Sequence, residues 1–129
     1  MLKYGIIDIE NIADERGELS FIQNSNLPFE IKRVFWIKPK KDKERGNHAN
    51  YKCKQCIICI NGKYKMSLDD GKDKKEIILS KNQGLILGPS LWRTMSDFSD
   101  DCILLVLASE EYDEKDYIRN YKKFKEAYR

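Results

Sequence analysis

The segment Arg45-Gly46-Asn47-His48-Ala49-Asn50 holds the only histidine in the chain. Gln55 follows, then the apolar run Cys56-Ile57-Ile58-Cys59-Ile60, which Asn61-Gly62 ends. A glycine-broken, basic loop therefore feeds a buried strand through one imidazole. Histidine is the side chain whose unperturbed pKa lies between pH 5 and 8, so His48 is the candidate proton carrier for chemistry near neutrality. Asn50, two residues on, can donate a hydrogen bond from its amide but carries no proton at neutral pH.

Cys53, Cys56, Cys59 and Cys102 raise a second chemistry, metal ligation. The Cys-x2-Cys-x2-Cys spacing resembles part of a zinc or iron–sulfur site. Residues 56 to 60 read as a strand, however, and strand side chains alternate between faces. Cys53 and Cys59 then point one way and Cys56 the other, so the three do not converge on one ion. The expectation is reduced, buried cysteines and no metal.

The elements that must position these residues are short apolar runs separated by turn signals, the pattern of an all-β sandwich or barrel. Strands are expected at Tyr4 to Ile9, Glu18 to Gln23, Ile31 to Ile37 and Cys53 to Ile60. Tyr64 to Leu68 is expected to pair with the last of these across Asn61-Gly62. Further strands are expected at Lys74 to Leu79, Gly84 to Leu87, Trp92 to Asp97 and Cys102 to Ala108. Asp69-Asp70-Gly71 is a hairpin turn, because Asp-Gly supplies positive φ. Pro39 to Asn47 reads as a charged loop. On the third strand Arg33, Phe35 and Ile37 share a face, which is unusual for an arginine unless that face lines a polar cavity. From Glu114 to Tyr128 the spacing of Tyr117, Ile118, Tyr121 and Phe124 predicts a short C-terminal helix packed on the β-structure.

The length of 129 residues suits one domain, 1–129, with a real core. With 24 Lys+Arg against 21 Asp+Glu the net charge is +3, and no arginine stripe interleaved with aromatics marks a nucleic-acid binder. The N-terminus lacks the apolar segment of a signal peptide, and no apolar run approaches the ~20 residues of a membrane span. The expectation is a soluble cytoplasmic protein that binds neither nucleic acid nor membrane.

The strand-rich plan with Gly46-Asn47-His48-Ala49-Asn50, Gln55 and Gly62 resembles the first motif of a cupin, the RmlC-like β-barrel or jelly roll. In that motif a His-x-His pair and a Glu bind metal. Here Asn50 and Gln55 stand at the second histidine and the glutamate, and Gly88-Pro89-Ser90-Leu91-Trp92-Arg93 lacks the histidine of the second motif. Neutral amides and an arginine do not replace imidazole and carboxylate as ligands. A closer resemblance covers nearly the whole chain. Pro28-Phe29-x-Ile31-Lys32-Arg33-Val34, Arg45-Gly46-x-His48-Ala49, Asp97-Phe98-Ser99, Leu105-Val106-Leu107-Ala108-Ser109, Tyr112-Asp113-Glu114-x-Asp116-Tyr117-Ile118-Arg119 and Tyr121-x-x-Phe124 occur in order. Together they resemble the WxcM-like or FdtA-like sugar-nucleotide 3,4-ketoisomerases, metal-free cupins.

The resemblance implies isomerisation of a dTDP-linked 4-keto-6-deoxyhexose to a 3-keto sugar for an aminotransferase, in deoxyaminosugar biosynthesis for surface glycans. It also implies a homodimer with shared β-strands. The family motif reads Arg-Gly-x-His-Ala-His, so Asn50 replaces the second histidine, and Arg93 stands where a histidine is common. Moving a carbonyl from C4 to C3 needs no cofactor. It needs a base, a donor for the enediolate oxygens and a clamp for the diphosphate. His48 fits the base, with Asn50 beside it as a donor. Arg33, Arg45 and Arg16 are candidates for the clamp, Arg33 foremost, because guanidinium matches paired phosphate oxygens. Gln55 and Arg93 complete the expected substrate-binding set, and Trp36, Trp92 or Phe35 are candidates to stack on thymine. The alternatives are a non-catalytic nucleotide-sugar-binding cupin or interaction partner, favoured by the loss of the second histidine, and a 3,5-epimerase, disfavoured because its histidine-paired aspartate has no counterpart here.

Overall fold

A computed structural model describes residues 2–128, which form twelve β-strands and one α-helix. The strands are β1 (Tyr4–Asp8), β2 (Glu10–Asp14), β3 (Gly17–Phe21), β4 (Arg33–Ile37), β5 (Arg45–Asn50) and β6 (Gln55–Asn61). They continue as β7 (Lys63–Asp69), β8 (Lys74–Ser80), β9 (Gln83–Leu87), β10 (Trp92–Ser96), β11 (Ile103–Ala108) and β12 (Tyr117–Ile118), and α1 spans Tyr121–Tyr128. One sheet runs β1-β9-β6-β11-β4, the other β12-β5-β10-β7-β8, and β2 pairs with β3 alone. The all-β expectation therefore resolves into a jelly roll of two open sheets, with the short C-terminal helix in place.

Strand alternation explains the layers. Ile57 and Cys59 of β6, Leu104 and Val106 of β11, and Leu85 and Leu87 of β9 meet Tyr64, Met66, Leu68, Leu79 and Met95 of the facing sheet. Cys56 and Ile58, on the opposite face of β6, pack with Ile9 and Leu107 under the chain from Ile22 to Ile31. With both faces covered, β6 reads as a continuous apolar run. Cys56 and Cys59 thus lie in separate cores, while Cys53 precedes the strand. Ala49 and Ile118 pack with Phe124 of α1 on the outer face of the second sheet.

Four sequence expectations change. The Pro39 to Asn47 loop gives way at Arg45 to β5, a strand that a bulge hides from simple alternation. β6 and β7 do not pair across Asn61-Gly62, because β9 and β11 occupy both edges of β6. The chain instead crosses between sheets at Gly62, where φ is +78° and a Cβ would collide with Ser99 and Asp101. Glu10–Asp14 forms an unforeseen strand that completes an isolated hairpin with β3. The C-terminal helix begins only at Tyr121, where the Asn120 side chain accepts from the Lys123 amide. Tyr117 and Ile118 pair instead with Asn50 and Ala49 as β12.

Tyr64 is 1% exposed, and its hydroxyl has no hydrogen-bond partner among the described residues. Burial pushes its phenol well above the ordinary range. An unsatisfied buried hydroxyl costs about 1–3 kcal/mol, so Tyr64→Phe is expected to be neutral or to stabilise by about 1 kcal/mol. Urea unfolding checks this, and a fall in midpoint would show that the hydroxyl has a partner.

Candidate active site

Gly46 and Asn47 take positive φ values of 90° and 57°. Arg93 of β10 lies opposite His48, while Thr94 lies opposite Gly46, so Asn47 is the extra residue of a β-bulge. The Thr94 hydroxyl donates to Asn47 Oδ1 at 3.0 Å and fastens the bulge. A Cβ on residue 46 would stand 2.9 Å from the Arg93 carbonyl oxygen. The glycine thus allows both the backbone turn and the close approach of β5 to β10 that seats His48 beside Arg93.

His48 lines a cavity of about 200 Å³ with Phe35, Gln55, Arg93, Tyr117 and Arg119, and with Arg45. Its ring meets Tyr117 edge-on at 5.0 Å between centroids. Nε2 is buried without a hydrogen-bond partner among the described residues. Burial, then the charge of Arg93, lowers the imidazole pKa to about 4, against a backbone hydrogen bond at Gly46 that pulls it up. The ring is therefore neutral at pH 7, and its Nε2 is buried without a partner.

Arg93 is 1% exposed and has no carboxylate partner among the described residues. Its guanidinium donates to the Leu91 carbonyl at 3.3 and 3.1 Å and, through Nη1, to Gln55 Oε1 at 2.9 Å. Burial lowers its pKa to about 10, so it stays a cation at neutral pH. Alternation places Gln55 on the inner face of β6 with Ile57, and Arg33, Phe35 and Ile37 on the inner face of β4.

The other predicted residues fall elsewhere. Arg33 does not line the cavity. It donates to the Tyr117 hydroxyl at 3.4 Å and to Cys53 Sγ at 3.9 Å, against the Phe35 ring at 5.1 Å and the Tyr112 ring at 5.7 Å. It therefore reaches the site through Tyr117. Asn50 is fully buried and turns its amide to Asp116 Oδ2 at 3.2 Å. The same carboxylate accepts from the Lys52 amide at 2.7 Å and the Cys53 amide at 3.1 Å. Arg16 sits at the tip of the β2–β3 hairpin, exposed and forked onto Asp14 at 2.6 Å. Trp36 is 65% exposed, Trp92 packs against α1, and Phe35 alone of the three aromatic candidates borders the cavity.

Sequence reasoning missed two polar lining residues, Tyr117 and Arg119, because the segment from Glu114 read as a helix on the spacing of Tyr117, Ile118, Tyr121 and Phe124. The signal that could have found them was Asp116, a carboxylate inside that supposed helix. Among the described residues no group of three or more His, Cys, Asp or Glu is placed to hold a metal ion. One imidazole, an amide and a guanidinium do not fit a divalent ion as a donor set.

Residues 2–129 match the family model described as FdtA, WxcM-like, C-terminal. The chain belongs to the WxcM-like FdtA family. A TDP-4-oxo-6-deoxy-alpha-D-glucose-3,4-oxoisomerase from Aneurinibacillus thermoaerophilus is 49% identical over 123 residues, 93% of this chain and 88% of that protein. A mutant of the 3,4-ketoisomerase QdtA from Thermoanaerobacterium thermosaccharolyticum, solved with TDP-4-keto-6-deoxyglucose, superposes with a TM-score of 0.92 at 44% identity. That match covers 97% of this chain and 93% of QdtA. WlaRA from Campylobacter jejuni, a TDP-fucose-3,4-ketoisomerase, gives 0.90 at 42% identity, covering 99% and 97% of the two chains. In this FdtA-family chain the motif histidine is thus a buried, neutral ring beside a buried cation.

His48 is the sole histidine, so its ring signals are unambiguous by NMR. The ring is expected to titrate near pH 4 in the ligand-free protein. The folded pKa lies below the ordinary 6.5, so burial of the neutral ring stabilises fully above pH 6.5. That contribution is lost as pH falls through about 4. A midpoint near 6.5 would show an exposed ring.

Proposed function

We propose that this chain isomerises a TDP-linked 4-keto-6-deoxyhexose, moving the carbonyl from C4 to C3 through an enediol. The observation that carries the reading is the unpartnered His48 Nε2, on a ring that lines a cavity together with the Arg93 cation. The 49% identity to a 3,4-oxoisomerase supports the substrate class.

The C4 carbonyl acidifies the C3 proton, and Nε2 takes that proton. The electron pair moves to the C4 oxygen and leaves an enediolate. Arg93, fixed and desolvated, holds this charge better than water does, because its donors need no reorganisation. Gln55 sets the Arg93 orientation. The C3 hydroxyl proton passes to the C4 oxygen, and a proton returned to C4 completes the 3-keto sugar. Asn50 lies off the cavity wall, so the imidazolium at His48 is the donor at hand for C4 when both carbons present one face. The alternative of a binding protein without catalysis rested on the replacement of the second histidine. Position 50 faces Asp116, so that replacement removes no group from the cavity wall.

Arg45 borders the mouth of the cavity and is placed for the diphosphate. We also propose a homodimer. Ile12 and Leu19 are 58% and 59% exposed on a hairpin paired with neither sheet, and Val34 and Trp36 are exposed on edge strand β4. Unpaired strand edges and exposed apolar faces favour a second copy. Arg16 lies at the tip of that hairpin and lines no part of this chain's own cavity. We place the enzyme in the cytoplasm, where nucleotide sugars are made; no described helix is long and apolar enough to cross a membrane.

His48→Asn is expected to lower turnover by about 10²–10⁴, the span of one general base, and to abolish solvent deuterium exchange at C3. NMR of TDP-4-keto-6-deoxyglucose in deuterated water reads both. Near wild-type exchange in the variant would remove His48 as the base. Wild-type protein that binds the sugar without exchange would establish the binding-only reading.

Light scattering at micromolar concentration is expected to give twice the 15.2 kDa chain mass. A monomer mass would overturn the dimer.

A further inference from the structure

The outer face of the second sheet carries a hollow of about 570 Å³ that the proposed isomerisation does not use. Cross-strand register builds its floor in two rows. Trp92 of β10, Asp69 of β7 and Lys74 of β8 stand opposite one another in the first. Thr94, Ser67 and Glu76 stand in the second. Strand alternation turns Trp92 and Thr94 outward and Arg93 inward, so this hollow and the catalytic cavity lie on opposite faces of β10. α1 borders the first row. The Tyr121 hydroxyl donates to Asp69 Oδ2 at 2.5 Å, and the Tyr121 ring meets Trp92 edge-on at 5.2 Å between centroids. Beyond the second row Lys65 bridges Glu76 at 2.9 Å and Asp97 at 3.5 Å.

Charge and hydrogen-bonding capacity narrow what the hollow can hold. Lys74 and Lys75 balance Asp69 and Glu76, so the lining draws in neither an anion nor a cation. Asp69 is 7% exposed and accepts from the Gly71 amide at 2.7 Å as well as from Tyr121. A carboxylate has about four acceptor sites, so about two remain for a guest. The bond to Asp69 holds the Tyr121 phenol up at about 12, so it donates at every working pH. Thr94 gives its proton to Asn47 and keeps an acceptor, Ser67 offers a hydroxyl, and Lys74 offers donors. Trp92 adds a flat apolar ring with an N–H at its edge. A neutral pyranose meets all of these at once. Its hydroxyls donate to the carboxylates and accept from the ammonium, and its C–H face covers the indole. An anion would use only the lysines, and a hydrocarbon only the ring. The volume lies within the range of small-molecule sites, about 300–1,000 Å³.

We propose that this hollow is a second, non-catalytic binding site for a neutral pyranose, gripped by Asp69, Lys74 and Glu76 over the Trp92 ring. The site lies outside the catalytic cavity and does not depend on the isomerase reading. A free monosaccharide and the terminal ring of a longer glycan share the chemistry it recognises.

NMR of the indole N–H signals tests the site, since Trp36 and Trp92 are the only tryptophans and Trp36→Phe assigns them. The probes are the methyl glycosides of D-glucose, D-galactose and 6-deoxy-D-glucose, with maltotriose as a longer chain. At least one glycoside is expected to shift the Trp92 signal with a Kd on the order of 1–10 mM and to leave Trp36 unmoved. Saturating TDP is expected to leave that Kd unchanged. Maltotriose bound at least about tenfold more tightly marks a glycan end, and equal affinity marks a single sugar. Ser67→Tyr, at an outward strand position, is expected to fill the hollow and abolish the shift while TDP affinity stays as in the wild type. Asp69→Asn is expected to weaken the sugar about tenfold. No Trp92 shift with any of the four probes overturns the site. A shift that TDP removes, or that survives Ser67→Tyr, also overturns it. So does a Trp92 response to inorganic phosphate or thymidine in place of the sugars.

Discussion

A fully buried arginine with no carboxylate in ion-pair contact among the described residues is the constraint on which the rest of this site depends. Desolvating a guanidinium costs several kcal/mol, and a carboxylate beside it ordinarily offsets that cost. Arg93 has two carbonyl contacts at Leu91 and one amide oxygen at Gln55 instead. These satisfy hydrogen-bonding geometry but supply no negative charge. The field of the cation therefore extends into the cavity, where it adds to burial in keeping His48 neutral and favours an anionic occupant. The chain accommodates this cost in a jelly roll whose apolar core lies mostly between the sheets, so the charged end of the sandwich does not interrupt it.

The strap that closes this end is anchored by the opposite charge. Asp116 is buried and takes donors from Asn50, Lys52 and Cys53, all at the β5–β6 connection. The Tyr51 amide adds a bond to the Asp116 carbonyl at 3.0 Å. This holds β12 against β5 and sets Tyr117 on the His48 ring. Asparagine suits position 50 because its amide donates to the carboxylate at every pH, whereas a histidine there would add a titrating group. Seen from Asp116, the departure from the Arg-Gly-x-His-Ala-His pattern is a change of anchor.

Strand periodicity made much of this legible. The alternation of Arg33, Phe35 and Ile37 against exposed Val34 and Trp36 fixed the inner face of β4 from sequence, and the unbroken run from Cys56 to Ile60 marked a strand covered on both sides. What stayed hidden depends on contacts that a linear pattern does not encode. The bulge at Asn47 interrupts the period of β5, and only the opposing Arg93 carbonyl explains why residue 46 is glycine. The tail kept a helical spacing while Asp116 drew Tyr117 and Ile118 into a strand, because buried hydrogen bonds outweigh a weak local preference. Motif spacing put Asn50 beside the chemistry, yet its side chain serves the acid behind it.

For the base proposed at His48, a pKa near 4 is poorly matched to abstraction of a carbon-bound proton. Two of the causes that lower it, burial and the Arg93 charge, act on the empty cavity, and the second weakens once an anion is bound. In the proposed reaction a diphosphate beside the cavity arginines would offset their field and make His48 more basic. As negative charge then grows on the C4 oxygen, the new imidazolium and the enediolate lie in one low-dielectric cavity and stabilise each other. The arrangement that makes His48 a poor base without substrate thus strengthens it when the carbonyl is present.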